Sequence, residues 1–473
     1  MNVRIYTNDK RIRTMNGGEF VDFLEIVERS HTGEAVSKND WDLDHVAMPI
    51  RDIVEDFDLN YEKGEVLAFD EDMLRRFYAA GRQLAIETGV YNQNTGRVIR
   101  FTEKEIDEAA AAQKREMIVG RGADAFTFYA RRAEDARRPG VVAGNPGCPM
   151  DEKTFRATTE SWAKESVVNM VTCGSIVDVD GHIVRRAEPS ELIAVRREMQ
   201  YLNEICARVG RPQIGRLAAE SSVSQIGDLA AMAPGGFHPG DAHLVALNNE
   251  LITTEDNLLR AANAIGTEVL NASLACVLVG GMAGGPAGAA VCMIASMLLA
   301  NLVCRADYHL CHPIHLRYIA TSTRECMWLQ SVVCQAFSLC APNIIVCDIY
   351  PKSGAGTAEL LREVAANALA ITVSGGHLEG SGSCDGLKPH CSGLEVRMIG
   401  RVAEAAVRQK LTRRDAEPII RKLLSGYEHV FATGNEGRPF DQVYDVNTLT
   451  PRPEWQAEYD RVARELAELG LNI

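Results

Sequence analysis

The chain has 473 residues, a length for about three domains or for one large α/β barrel with additions. Hydrophobic residues make up 46% and charged residues 24%, which supplies a sizeable core and excludes general disorder. Lys and Arg number 50 against 64 Asp and Glu, and the resulting −14 argues against a nucleic-acid polyanion as main ligand, a local basic patch aside.

In chain order, residues 1–10 are polar and carry no apolar core with a cleavage site, so no secretory signal is read there. Residues 1–135 read as helical: Met73, Leu74, Phe77 and Leu84 recur near helical spacing, and Phe101-Thr102-Glu103-Lys104-Glu105 looks like a capped helix start. The charged run 131–138 reads as a solvated face or linker. From residue 140 the pattern changes. Short apolar runs at 141–143, 167–171, 214–217, 243–247, 274–279, 308–310, 344–346 and 370–373 alternate with helical stretches at 191–209, 289–302, 322–339 and 357–367. Eight strand candidates, each followed by a helix or long loop, predict a parallel (β/α)8 TIM barrel; a doubly wound open sheet is the alternative. The uncharged stretch between Glu268 and Arg305 is long enough for a membrane span, but the glycines at 280–285 divide it into a buried strand, a loop and a helix. Residues 393–425 and 452–470 read as closing helices anchored by Leu466, Leu469 and Leu471. The expected organisation is an N-terminal helical extension (1–138), a barrel (139–392) and C-terminal helices packed on it (393–473).

Thirteen cysteines form no small disulfide scaffold, and free thiols in a reducing cytoplasm are expected. Cys276, Cys292, Cys304 and Cys334 sit among apolar residues and read as packing thiols. In a barrel, chemistry gathers where strands end. Arg216 and Glu220 flank the third strand, and His309, His312, His315 and Arg317 crowd the sixth. Asp348 and Tyr350 close the seventh, and His377 follows the eighth. The loop Gly280-Gly281-Met282-Ala283-Gly284-Gly285 could bind phosphate at a helix start, but it lacks the spacing and acidic partner of a dinucleotide site. His377, Cys384, His390 and Cys391 supply four nitrogen and sulfur ligands of the kind zinc prefers, with a spacing that matches no standard finger. His309, Cys311 and His312 form a weaker set, because strand alternation turns His309 and His312 to opposite faces. No Walker loop, Gly-x-Ser-x-Gly or Ser/His/Asp order appears. Taken alone, the residues describe a cytoplasmic α/β-barrel enzyme.

Scattered, collinear blocks say more. They are Asn39-Asp40-Trp41-Asp42-Leu43, Gly89-Val90-Tyr91, Phe101-Thr102-Glu103-Lys104-Glu105-Ile106, Gly210-Arg211-Pro212 and Asn249-Glu250-Leu251. Further along come Gly280-Gly281 with Ala283-Gly284-Gly285, His315-x-Arg317 and Ser322-Thr323-Arg324-Glu325. The last are Gly393-x-Glu395-x-Arg397-Met398, Tyr444-Asp445-Val446, Thr448-x-Thr450-Pro451 and Leu469-Gly470-Leu471. Over nearly its whole length the chain resembles the monomethylamine:corrinoid methyltransferase family of methanogens. The resemblance implies a TIM barrel, a homo-oligomer (a hexamer in that family), and a partner corrinoid protein that presents Co(I) at the barrel mouth. It also implies methyl transfer from an amine nitrogen, helped in the family by the imine carbon of pyrrolysine.

The chain departs from the family at that residue. Read without a gap from Gly210-Arg211-Pro212, the pyrrolysine position falls on Leu217, which has no electrophile. Two family glutamates fall on Leu244 and Leu274, and a pocket glutamine falls on Asp348. A family glutamate matches Glu220, and a histidine matches His243. Three polar or reactive groups become leucine, which leaves Asp348 in a drier pocket where a cation is strongly favoured. The expected substrate is therefore a small methylated amine other than monomethylamine, such as a quaternary amine, whose neutral leaving group needs no activation. Asp348 would hold the cation, with Tyr308 and Tyr350 as wall. Glu220, His243, His315 and Arg317 would stand around the cavity. Two alternatives stay open: zinc at the loop of His377, Cys384, His390 and Cys391 as Lewis acid, and a non-catalytic binder of a corrinoid protein. Neither nucleic acid nor membrane is expected as a partner.

Overall fold

The structure, a computed structural model, describes residues 21–473. The polar stretch 1–10 lies outside the described residues. Eight parallel strands form the centre: β1 (Val141–Ala143), β2 (Met170–Val171), β3 (Gly215–Arg216), β4 (Ala242–Leu247), β5 (Leu270–Val279), β6 (Tyr308–His315), β7 (Ile345–Ile349) and β8 (His377–Gly380). They are ordered β3-β2-β1-β8-β7-β6-β5-β4. A parallel bridge from Leu217 to Ala242 joins the two ends of that sheet, and the amide of Ala218 donates to Ala242 O at 2.9 Å. The sheet is thus a closed (β/α)8 barrel, which removes its edges.

The helices that precede the barrel include α1 (Glu71–Thr88) and α2 (Glu103–Ala111). Asp70 caps α1 by accepting from the amides of Asp72 and Met73, and Thr102 with Glu105 forms the reciprocal capping box of α2. One helix follows each strand: α3 (Glu152–Ala163), α4 (Pro189–Arg208), α5 (Gln225–Ala231), α6 (Glu255–Ala264), α7 (Pro286–Val303), α8 (Arg324–Cys340), α9 (Ala358–Ser374) and α10 (Gly393–Arg408). Helices α11 (Arg413–Ser425) and α12 (Pro453–Glu468) then pack against α9.

Helix α7 is long and apolar enough to cross a membrane. Its residues are nevertheless buried from Ala287 to Val303, wedged between β5, α1 and α8, so it is a core helix. The contact with α1 is close: a Cβ placed on Gly81 would stand 2.5 Å from Ile294 Cγ2.

One predicted strand is corrected. Residues 370–373 belong to the last turns of α9, and the eighth strand begins at His377. Helix α9 is buried from Leu360 almost without interruption to Ser374, so its sequence shows no polar face to mark it as a helix. Gly375, with φ 97°, ends it in the left-handed conformation that glycine adopts freely. The thiols are free, as expected: all thirteen cysteines are unbridged.

A hairpin of Glu116–Val119 and Phe126–Tyr129 plugs the N-terminal end of the barrel. Its amides at Gly120 and Arg121 donate to Gly240 O and Gln213 O, each at 2.9 Å, just before β4 and β3. Met117, Val119 and Phe128 pack with Val142, Met170, Leu217, Ala272, Tyr308, Leu310 and Val346 as an apolar floor. The opposite end is left open.

Candidate active site

Strand alternation decides which side chains face the barrel axis. In β5 the even residues Leu274, Cys276 and Leu278 are part-exposed, whereas Ser273, Ala275 and Val277 are buried against helices. In β4, Leu244 and Ala246 are part-exposed, and Val245 and Leu247 are buried. Partial exposure at the centre of the molecule marks a cavity that reaches solvent at the C-terminal mouth. In TIM barrels this is the end that carries chemistry.

The parallel register places Cys276 beside His312 and Asp348 beside Glu379. His312 Nδ1 meets Asp348 Oδ2, and the Asp348 and Glu379 carboxyl groups are hydrogen-bonding neighbours. Burial pushes Asp348 up to about 8, and burial with the adjacent Asp348 charge raises Glu379 well above the usual carboxyl range. Burial also drives His312 down to about 4, so its contact with Asp348 is a hydrogen bond of a neutral imidazole and not an ion pair. Tyr350 stands edge-on to His312 with centroids 4.6 Å apart, and its hydroxyl donates to Pro146 O at 3.1 Å.

A third carboxyl group comes from the turn after β3. Ala218 takes φ 60° there, an uncommon conformation for a residue with a side chain. Two residues on, Glu220 accepts from Thr172 Oγ1 at 3.1 Å. Its backbone amide donates to the buried Glu198 of α4 at 2.9 Å. Burial, then the charges of Glu198 and Glu379, raise Glu220 to about 8. Three acidic groups and one neutral histidine thus surround a cavity whose inward positions, among the described residues, carry no lysine or arginine. Arg260, whose guanidinium charge acts on Glu220, is engaged by Asp256 at 3.4 Å.

Leu217, Leu244 and Leu274 all face inward: Leu217 is fully buried in the floor, and the other two pack on it from the wall. Tyr308 is corrected from wall to floor; it is fully buried in that layer, and its hydroxyl has no partner among the described residues. His243 is corrected as well. It points out of the barrel between β4 and α5, where Nδ1 contacts both Asp228 oxygens at 3.1 Å and Nε2 meets Asn271 Oδ1. His315 closes β6 on the outer rim, stacked on Tyr318 at 4.6 Å, and Arg317 is exposed beside it. Arg216 also faces outward, donating to Asn203 Oδ1 at 2.6 Å. Cys276, read as a packing thiol, instead lines the cavity.

The zinc set does not assemble. His377 sits at the plugged end, where Gly140 N donates to Nδ1 at 2.8 Å and Nε2 donates to Tyr129 O at 2.8 Å. Both ring nitrogens are committed to backbone, and the ring stacks on Phe128 at 4.6 Å. Cys384 and His390 both bond to Glu436 O, at 3.0 and 2.6 Å, and fasten a loop. Cys391 is buried against Asn145. In the second set, His309 turns outward to Ser273 Oγ at 2.7 Å while His312 turns inward, on opposite faces as expected. Among the described residues no group of three or more His, Cys, Asp and Glu is placed to hold a metal.

Comparison with known proteins decides the family. The model of the family described as monomethylamine methyltransferase MtmB matches residues 21–471. The chain belongs to this family. It is 31% identical over 454 residues to monomethylamine methyltransferase MtmB2 of Methanosarcina acetivorans, covering 95% of this chain and 98% of that protein. MtmB1 of Methanosarcina barkeri is 31% identical over 452 residues, with the same coverage. The crystal structure of the Methanosarcina barkeri monomethylamine methyltransferase superimposes with a TM-score of 0.92 at 30% identity, covering 95% of this chain and 98% of that one. A hydroxylamine complex of MtmB gives the same TM-score of 0.92. This MtmB-family chain is therefore a methyltransferase on a TIM barrel.

Proposed function

We propose that this MtmB-family enzyme moves a methyl group from a small cationic N-methyl compound, a quaternary amine and not monomethylamine, to a corrinoid on a partner protein. One observation carries the reading: Asp348, Glu379 and Glu220 converge on a cavity whose floor at Leu217 and walls at Leu244 and Leu274 are aliphatic. Buried carboxyl groups without a cationic side chain favour a cationic guest, and aliphatic walls suit its methyl groups. Leucine offers no electrophile to hold a neutral amine. A quaternary nitrogen leaves as a neutral tertiary amine once its methyl is taken, so no proton or covalent adduct is needed.

The chain's own residues bind and orient. Asp348 would hold the charged nitrogen, positioned by His312 on one side and by the backbone bond from Gln330 Nε2 to Asp348 O, 3.0 Å, on the other. Leu217, Leu244 and Leu274 would exclude water from the methyl groups, and Tyr350 would line the approach. The mouth fits a large planar partner group, because Met282, Leu316, Ile319 and Leu387 lie exposed on loops after β5, β6 and β8. A corrinoid presented there would supply the Co(I) nucleophile that accepts the methyl group. A cytoplasmic homo-oligomer, hexameric by family resemblance, completes the reading.

Asp348→Asn tests it. Removing the buried charge that meets the substrate is expected to lower kcat/KM for a quaternary methylammonium donor by about 30-fold or more. Turnover unchanged by that substitution would reject the assignment, and its absence in the wild type as well would favour a non-catalytic binder.

A further inference from the structure

We propose that Asp348 and Glu379 hold one proton between them in the cation-free cavity and surrender it when a fixed cation binds, which makes Glu379 the residue that sets substrate charge. This rests on the reading of the cavity as a cation site. The register sets the two residues side by side on β7 and β8. Asp348 Oδ1 and Glu379 Oε2 are buried and find no donor among the described residues. Two touching, buried carboxyl groups do not both ionise, and one shared proton gives the missing donor.

Every titratable group facing the pair leaves that proton in place. Cys276 faces it from β5, and Tyr308 and His312 from β6. Tyr350 follows on β7, Glu220 comes from the turn after β3 with Glu198 behind it, and Cys148 lies beyond Tyr350. None is a cation at neutral pH, because burial holds His312 neutral. An incoming quaternary ammonium supplies the missing positive charge. The carboxyl O–H bond breaks, its electron pair stays on oxygen, and the proton goes to solvent. A neutral amine would take the proton instead and release none. A betaine would bring a carboxylate for which the cavity has no partner. The class is therefore a monocation with no acidic group.

Titration calorimetry of the full chain with tetramethylammonium chloride, in phosphate and in Tris at neutral pH, counts the protons. Expected are about one proton released per cation and a Kd that falls about tenfold from pH 6 to pH 7. Glu379→Gln should cut the release to below half and flatten the pH dependence, and glycine betaine should bind the wild type at least about tenfold more weakly. The wild-type pH slope stands without the variant, should Glu379→Gln fold poorly. Cation binding with equal heats in both buffers and a flat Kd would overturn the shared proton alone. Failure of tetramethylammonium to bind at any pH would overturn the cation site itself.

Discussion

A carboxyl group kept protonated by burial makes the fold sensitive to base. Burial pushes Asp348 up to about 8 and lifts Glu379 as well, away from the ordinary carboxyl value near 4. Between those values the folded chain binds more protons than the unfolded one. The stability these groups contribute is complete below about pH 4 and is lost as pH rises through about 8. Asp348→Asn and Glu379→Gln should therefore melt above the wild type at alkaline pH, by the equivalent of about 1–3 kcal/mol, and close to it at pH 5. Thermal melts across pH check this. Leu217 behaves in the opposite way. It fills the apolar floor, so Leu217→Ala should cost about 2–5 kcal/mol at every pH, read as a lower urea midpoint. His243 was within reach of sequence reasoning: adjacent residues of a strand point to opposite faces, so His243 and Leu244 cannot both line the cavity. Glu379 was not. It stands alone in a short strand of His377, Leu378 and Gly380, and only the register with Asp348 gives it meaning.

At the scale of elements, strong local patterns were legible and fully buried ones were not. Apolar spacing at Met73, Leu74, Phe77 and Leu84 announced α1, the capped start at Thr102 announced α2, and apolar runs announced β4 to β7. The apolar run 370–373 was misread because a helix buried on all sides carries the same composition as a core strand. The true β8 escaped notice because its inward side chains are polar, which is what a functional strand end demands. Helix α7 owes its position to small residues. Gly81 lets α1 approach it, and a valine there would press on Ile294 and on Val291 O, 3.0 Å away from the added carbon. Gly81→Val should cost about 1–3 kcal/mol by overpacking, measured as a lower denaturant midpoint with an unchanged slope.

For the whole molecule, the family was legible because its motifs run collinearly from Asn39 to Leu471, and the matched region spans residues 21–471. A TM-score of 0.92 at 30% identity shows that the scaffold is kept, and the proposed choice of substrate rests on its inward positions. The most direct measurement is methyl transfer from a panel of donors to free cob(I)alamin, followed optically, from monomethylamine to tetramethylammonium. Methylation is expected from a quaternary, net-cationic donor and not from monomethylamine. Turnover of monomethylamine at a comparable rate would contradict it, because Leu217 would then have to coexist with a neutral-amine chemistry that the cavity is not built to activate.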